Sequence, residues 1–337
     1  MDGYYVGVDL GGSHLRMGLL EGSGKILGEI KRDICDMTDE HWFINSIIDM
    51  WVELINACRC NPPGIIAIGF GSPGPLDPVH GIIESPPNLP CMRSFNVVRF
   101  LENKFNVPAF LINDADAAVL GEAWVGSARG YKNVVMLTLG TGVGSGVICE
   151  GRLIRGSGRA VELGHTDTFI PGTMRTCSCG SSGHFEAYAG TLGLAKLYCE
   201  IFGASFDKMT PGEIFRVSYG MKTGAAAFDQ RWLKLADVYA SYVARGIINA
   251  ACSFNPECIV LGGGIISDNH ILFQMIERHF QRDMLGRNIG GEYLNKMAVL
   301  GKDLVILPAK FNNPGIIGAV KHAIDQMDTT KEKKRGR

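Results

Sequence analysis

A two-lobed α/β fold is predicted by three features of the sequence. A strand, a glycine turn, a second strand, a turn and a third strand occur from Tyr4 to Leu27, and the same order recurs from Leu137 to Ile154. Other short apolar strands run into glycines or carboxylates and then into amphipathic helices, as strand-to-helix crossovers do. At 337 residues the chain also exceeds one ordinary core, so two domains are expected.

Tyr4 to Leu10 alternates as a strand, meets Gly11-Gly12-Ser13, resumes through Leu15 to Leu20 and turns at Glu21-Gly22-Ser23-Gly24 before the apolar Ile26-Leu27. Asp9 lies where the first strand meets the turn. From there a carboxylate can hold Mg²⁺ on a polyphosphate, directly or through water; the plainer alternative is a turn-capping Asp. Two such glycine turns, one per lobe, would grip one nucleotide from both sides of a cleft.

Trp42 to Cys58 carries Phe43, Ile47, Met50, Trp51, Leu54 and Ile55 as a helical core stripe. Ile65 to Phe70 is a short buried strand entering the rigid loop Gly71-Ser72-Pro73-Gly74-Pro75. Pro86-Pro87-Asn88-Leu89-Pro90 is a second rigid loop, in which Asn88 is either a turn residue or a pre-positioned partner for a sugar hydroxyl. Val107 to Ile112 is a strand ending at Asn113-Asp114-Ala115-Asp116, ahead of a helix expected from about Ala117 to Ala128. Asp114 therefore sits at the carboxyl end of a strand, where α/β proteins place ligands, while Asp116 suits the helix cap.

The stretch from Leu137 to Glu186 carries the densest chemistry. Gly140, Gly142, Gly144 and Gly146 alternate with Thr, Val and Ser, so backbone amides can approach an anion; a plain hairpin is the alternative. His165, Cys177, Cys179 and His184 then supply four N/S donors of the kind tetrahedral zinc selects. A closed set of four would be structural rather than hydrolytic. Cys58-Arg-Cys60 lacks a nearby His and reads as structural.

Trp232 to Cys252 is a long helix with Leu233, Ala236, Tyr239, Ala240, Val243 and Ile247 on one side. It feeds the strand Cys258 to Leu261, a third glycine turn at Gly262, Gly263 and Gly264 suited to close approach of an adenosine, and a helix from about Asp268 to Arg282 capped by Ser267 or Asp268. Val305 to Ala309 is the last strand and Gly315 to Met327 the last helix. The run Lys331 to Arg337 reads as a disordered basic tail within residues 328–337.

A net charge of −1 implies no nucleic-acid surface, and no apolar run approaches a membrane span. The N-terminus lacks the basic and apolar regions of a signal peptide, so a soluble cytoplasmic protein is expected, with its ten cysteines reduced.

These motifs together resemble the ROK family of sugar kinases and repressors, over nearly everything from Tyr4 to Met327. Asp9-Leu-Gly-Gly-Ser-His14 is similar to that family's first phosphate motif, Leu139 to Gly146 to the second, Asn113-Asp114 to the catalytic pair, and Glu162-x-Gly-His165 with Cys177-x-Cys179-Gly-x-x-Gly to its zinc signature. The resemblance implies the actin-like ATPase (ribonuclease H-like) fold with a zinc-stabilised loop. One lobe would span 1–113, completed by the helix at about 314–327, and the other 114–313. Asp114 would be the catalytic base, with Gly74, Asn88, Asn113, Glu162, His165 and Glu186 as sugar contacts. Asp9, Gly11, Gly12, Ser13, Thr141, Gly142, Gly262, Gly263 and Gly264 would bind nucleotide, with Asp9 holding magnesium. The implied activity is ATP-dependent phosphorylation of a hexose, foremost glucose, with N-acetylmannosamine, N-acetylglucosamine, allose or fructose as alternatives. The cofactors would be ATP, Mg²⁺ and structural Zn²⁺, in a homo-oligomer, a dimer, without nucleic acid or membrane partners.

Four positions depart from the family pattern: His184 replaces a third zinc cysteine, His14 stands where Lys is usual, and Cys91-Met92 follow Asn-Leu-Pro where Gly-Trp is common in glucokinases. A sugar-responsive repressor is the competing class, although the first strand begins near Tyr4 and the phosphate motifs and Asp114 are intact. A filament or chaperone ATPase is disfavoured by the zinc signature.

Overall fold

The structure is a computed structural model that describes residues 3–34, 37, 39–58, 64–86, 89, 92–156, 160–168, 170, 172–203, 214, 230–267, 269–284 and 304–335. Two five-stranded mixed sheets share one topology. In the first, β1 (Tyr4–Leu10), β2 (His14–Glu21) and β3 (Ile26–Asp33) form an antiparallel meander, and β4 (Ile65–Ser72) and β8 (Ala109–Asn113) add parallel to β1, in the order β3-β2-β1-β4-β8. In the second, β9 (Val134–Leu139), β10 (Val143–Cys149) and β11 (Arg152–Leu153) repeat the meander, and β12 (Cys258–Gly262) and β13 (Val305–Pro308) repeat the parallel addition. The repeat read from the sequence is thus a repeat of topology. Between β4 and β8 lies a small sheet of β5 (Leu76–Asp77), β6 (Ile82–Ile83) and β7 (Phe95–Asn96).

The first sheet is covered by α1 (Glu40–Ala57) and α2 (Val97–Phe105), with Phe43 set edge-on to Phe70 and Phe95. The second packs on α6 (Gln230–Phe254) and α7 (His270–Met284), after the short α4 (Glu186–Ala189) and α5 (Thr191–Phe202). Leu233, expected on the buried side of α6, is 42% exposed; Trp232 and Leu235 point inward instead. The α7 cap is Asn269, whose side chain accepts from Leu272 N, rather than Ser267, whose hydroxyl donates to the Gly263 carbonyl. Asp268 lies outside the described residues.

Two helices join the halves. α3 (Asp114–Val125) leaves β8 of the first sheet and packs on β9 and β10 of the second. α8 (Pro314–Arg335) leaves β13 of the second and packs on β1 and β4 of the first, and on α3. It continues past the expected end at Met327, through much of the segment read as a disordered tail. Its approach is close enough to require glycine: a Cβ at Gly69 would lie 1.9 Å from the Ala319 carbonyl oxygen, and one at Gly318 would meet the Ala117 carbonyl. At the far end of α3 the buried Glu122 accepts from Ser127 N, the Ser127 hydroxyl and Phe311 N, tying α3 to the loop that enters α8.

Candidate active site

Two cavities meet between the halves. The larger, about 780 Å³, is lined by the first turn (Gly11, Gly12, Ser13), by Gly140 and Thr141 of the second, by Gly263 and Gly264 of the third, and by Asp9 and Asp114. The smaller, about 470 Å³, is lined by Gly74, Asn113, Asp114, Gly142, Glu162, His165 and Glu186. Asp114, Gly12, Thr141 and Gly263 belong to both, so Asp114 stands at the junction. Gly262 is the buried end of β12 and lines neither. Asn88 lies outside the described residues.

The third turn requires glycine at its centre. Gly263 has φ 92°, and a Cβ there would fall 2.3 Å from the Leu139 carbonyl oxygen, so this turn folds directly against the end of β9. The second turn is braced by the corner between α4 and α5: Thr191 donates both its N–H and its hydroxyl to the Gly140 carbonyl, and Val143 N donates to the Glu186 carboxylate at 3.0 Å.

α3 starts at Asp114, earlier than the expected Ala117, and its cap is Asn113 rather than Asp116. The Asn113 side-chain oxygen accepts from Ala115 N and Asp116 N, which satisfies two amides at the buried helix start and leaves the Asn113 amide nitrogen for the smaller cavity. Asp116 is instead buried, with neither carboxylate oxygen hydrogen-bonded, and burial pushes it up to about 7. The sequence suits Asp116 to the cap, but the helix start lies inside the cleft and Asn113 takes that place.

Burial also raises Asp114 to about 6, with Glu162 adding to the rise and the Ala115 amide opposing it. Asp9 is raised to about 7, first by burial and then by the charge of Asp114, with Arg16 opposing. A Cβ at Gly315 would lie 2.7 Å from the Asp9 carboxyl carbon, so the start of α8 abuts this carboxylate. Two half-buried carboxylates, one of which raises the proton affinity of the other, beside glycine-turn amides fit a hard cation carried in with a polyphosphate. Glu162 is raised too, by burial first, and its segment is fixed on β10, where the Ser145 hydroxyl donates to the Val161 carbonyl and accepts from Leu163 N.

The sequence-predicted His/Cys set converges. His165, Cys177, Cys179 and His184 each offer a donor atom, all within 4.8 Å of one another. The Cys179 Sγ to His184 Nδ1 distance is 3.2 Å, His165 Nδ1 to His184 Nδ1 is 3.3 Å, and Cys177 Sγ to His165 Nδ1 is 3.6 Å. A tetrahedron with zinc bonds of about 2.0–2.3 Å has edges of roughly 3.3–3.8 Å, so these three separations are close to the edges of such a site, and the donor set suits zinc. Because His165 turns Nδ1 to the cluster, its other ring nitrogen is free of that duty, and the residue also lines the smaller cavity. The loop is held independently by Arg175, buried between Tyr188 and Tyr242 and bonded to Gly193 O and Glu200.

Several lining residues escaped sequence reading. Arg16 and Lys31 line the larger cavity beside His14 of the first phosphate motif, as do Asn312 and Asn313 just before α8. The Asn-Asn-Pro-Gly entry to that helix was the available signal, since Pro at a first helical position marks a start. Thr191 gave none, because only the packed corner brings it to Gly140.

A duplicated mixed sheet, glycine turns facing each other across a cleft and an acidic residue where two cavities meet define the two-lobed actin-like ATPase class. The ROK family model matches residues 5–325, and the chain belongs to the ROK family. A glucokinase of Halalkalibacterium halodurans is 32% identical over 91% of this chain and 93% of its own. A xylose repressor of Bacillus spizizenii is 28% identical over 89% of this chain and 74% of its own. The crystal structure of a ROK family glucokinase from Streptomyces griseus in complex with glucose and AMPPNP superposes with a TM-score of 0.76 at 24% identity, over 96% of this chain and 100% of that one.

Proposed function

We propose that the chain is an ATP-dependent kinase that phosphorylates a hexose hydroxyl, with glucose as acceptor and glucose 6-phosphate as product. The observation that carries this reading is the junction: Asp114 lines both the glycine-turn cavity and the cavity bearing Asn113, Glu162, His165 and Glu186. A donor phosphate in the first and a hydroxyl in the second would meet at that carboxylate. The glucokinase relative supports the same chemistry.

In this reading Asp114 orients the acceptor hydroxyl and takes its proton as the bond to phosphorus forms. Its raised proton affinity makes it a better base than an ordinary carboxylate, while leaving it ionised at neutral pH. The amides of the glycine turns hold the donor phosphates, with Gly263 and Gly264 beside the nucleoside and Asp9 as the magnesium site. Bound Mg²⁺ would neutralise the phosphate charge. Asn113, Glu162, Glu186 and the free nitrogen of His165 give the acceptor its donors and acceptors, and Gly74 and Asn88 complete the assignment carried by the resemblance. His165, Cys177, Cys179 and His184 would hold structural zinc, anchoring the loop between Glu162 and Glu186. The proposal places the enzyme in the cytoplasm as a homodimer; among the described residues no helix is long and apolar enough to cross a membrane.

A coupled ADP-release assay across hexoses and acetylated amino sugars tests the reading. Turnover with glucose above the other sugars is expected, and no ADP release with any sugar would reject it. The second reading, a sugar-responsive regulator, is favoured by the xylose repressor relative; it requires sugar binding without turnover.

A further inference from the structure

We propose that Ser178 is a positioning residue that couples acceptor binding to nucleotide binding, by orienting the Glu186 carboxylate onto the second glycine turn. Glu186 touches two elements. One carboxylate oxygen accepts from Val143 N at 3.0 Å, and the other accepts from the Ser178 hydroxyl at 2.5 Å, with Cys177 Sγ at 3.5 Å from the same atom. The contact with the turn is tight: a Cβ at Gly142 would lie 2.3 Å from the Glu186 oxygen, so that position must be glycine for the carboxylate to reach Val143.

The turn is held from the same corner at its other end, where Thr191 bonds Gly140. Thr191 lines the larger cavity alone and Gly142, Val143, Ser178 and Glu186 the smaller alone, while Gly140 and Thr141 of the turn between them line both. One side chain in the acceptor cavity therefore fixes one end of a turn whose other end faces both the donor and the acceptor cavity. A carboxylate offers about four acceptor positions, so an acceptor hydroxyl can join Val143 and Ser178 on Glu186 without displacing either. That added bond restricts Glu186 and with it the turn, and the linkage is reciprocal: acceptor tightens nucleotide, and nucleotide tightens acceptor by the same factor.

Ser178 matters more than Cys177 here because of what a metal does to a thiol. A metal-bound cysteine is a thiolate with no proton to donate, which leaves the Ser178 hydroxyl as the side-chain donor to that Glu186 oxygen. Its place between Cys177 and Cys179 thus ties the orientation of Glu186 to the cluster.

The acceptor arm of this inference rests on the proposed function; the nucleotide arm does not. Calorimetric titration of a non-hydrolysable ATP analogue, with and without glucose, reads both arms. In the wild-type protein glucose is expected to tighten analogue binding about 10-fold, within the usual range of such couplings. Ser178→Ala should weaken analogue binding by itself and reduce the glucose effect to less than about 2-fold, while Ser178→Thr restores both. Metal content and melting temperature, measured on all three proteins, separate positioning from loss of the loop. Wild-type coupling in Ser178→Ala, or a loss that Ser178→Thr does not rescue, overturns the proposal. Should glucose fail to bind the wild type, the proposed function falls. The inference then stands or falls on whether Ser178→Ala weakens the analogue and Ser178→Thr restores it.

Discussion

Asp114 raises the energetic cost of ionising Asp9, which lines the same larger cavity: its charge is the second cause, after burial, that lifts Asp9 to about 7. A cation beside Asp9 would offset that cost.

That ionisation cost predicts a trade between stability and activity at Asp9. Its folded-state pKa of about 7 exceeds the usual carboxylate value, so between roughly pH 4 and 7 the folded protein holds more protons than the unfolded one. Stability from this group is therefore full below pH 4 and is lost as pH rises through 7. Asp9→Asn should be more stable than wild type at pH 8 in metal-free buffer, by on the order of a few kcal/mol and with a higher melting temperature, the difference vanishing near pH 4. The same variant should lose Mg²⁺-ATP-dependent turnover. Equal melting temperatures at pH 8 would show that Asp9 carries no such penalty.

Asp114→Asn keeps the shape of the side chain and removes the base, so kcat should fall about 10²-fold or more while sugar binding stays near wild type. Wild-type kcat at saturating Mg²⁺-ATP should decline below about pH 6 as the carboxylate protonates, and the residual rate of the variant should lack that limb. A purified variant that turns over at close to the wild-type rate would remove Asp114 from the mechanism.

Gly69→Ala tests the packing that brings α8 to the site. The new methyl would meet the Ala319 backbone 1.9 Å away, and a backbone cannot rotate aside as a side chain can. Overpacking of this kind costs about 3 kcal/mol, readable as a lower urea midpoint. Because α8 begins beside Asp9, the variant should also lose affinity for Mg²⁺-ATP more than for sugar. An unchanged midpoint would mean that α8 slides freely on the sheet.

Much of this arrangement was legible because its determinants are local. The glycine turns, the Asp9 and Asp114 strand ends and the His/Cys spacing are each set by a few neighbouring residues, and the repeated meander follows from two similar stretches of sequence. The rest depends on tertiary approach. Asp116 looks like a helix cap in sequence, yet the crossing of α3 between the sheets buries it and hands the cap to Asn113. Thr191 and Ser178 are ordinary polar residues until the α4–α5 corner lands on the second turn. Leu233 shows the same limit: a helical stripe gives the buried side of α6 only to within about one position.

The His/Cys cluster yields the last prediction, because its donor set separates metal binding from side-chain identity. If one zinc ion sits among His165, Cys177, Cys179 and His184, the loop from Glu162 to Glu186 is anchored at both ends, and both glutamates depend on it for their position in the smaller cavity. Chelation should raise the sugar KM and lower the melting temperature, while the glycine turns still bind nucleotide. His184→Cys keeps four N/S ligands and should retain metal, whereas His184→Ala leaves three and should bind it more weakly. The loop also has the Arg175 anchor, so His184→Ala should stay folded and remain measurable. Elemental analysis of protein purified without chelator gives the deciding quantity. About one zinc per chain is expected for the wild type and His184→Cys, and a stoichiometry near zero in active enzyme would refute the site.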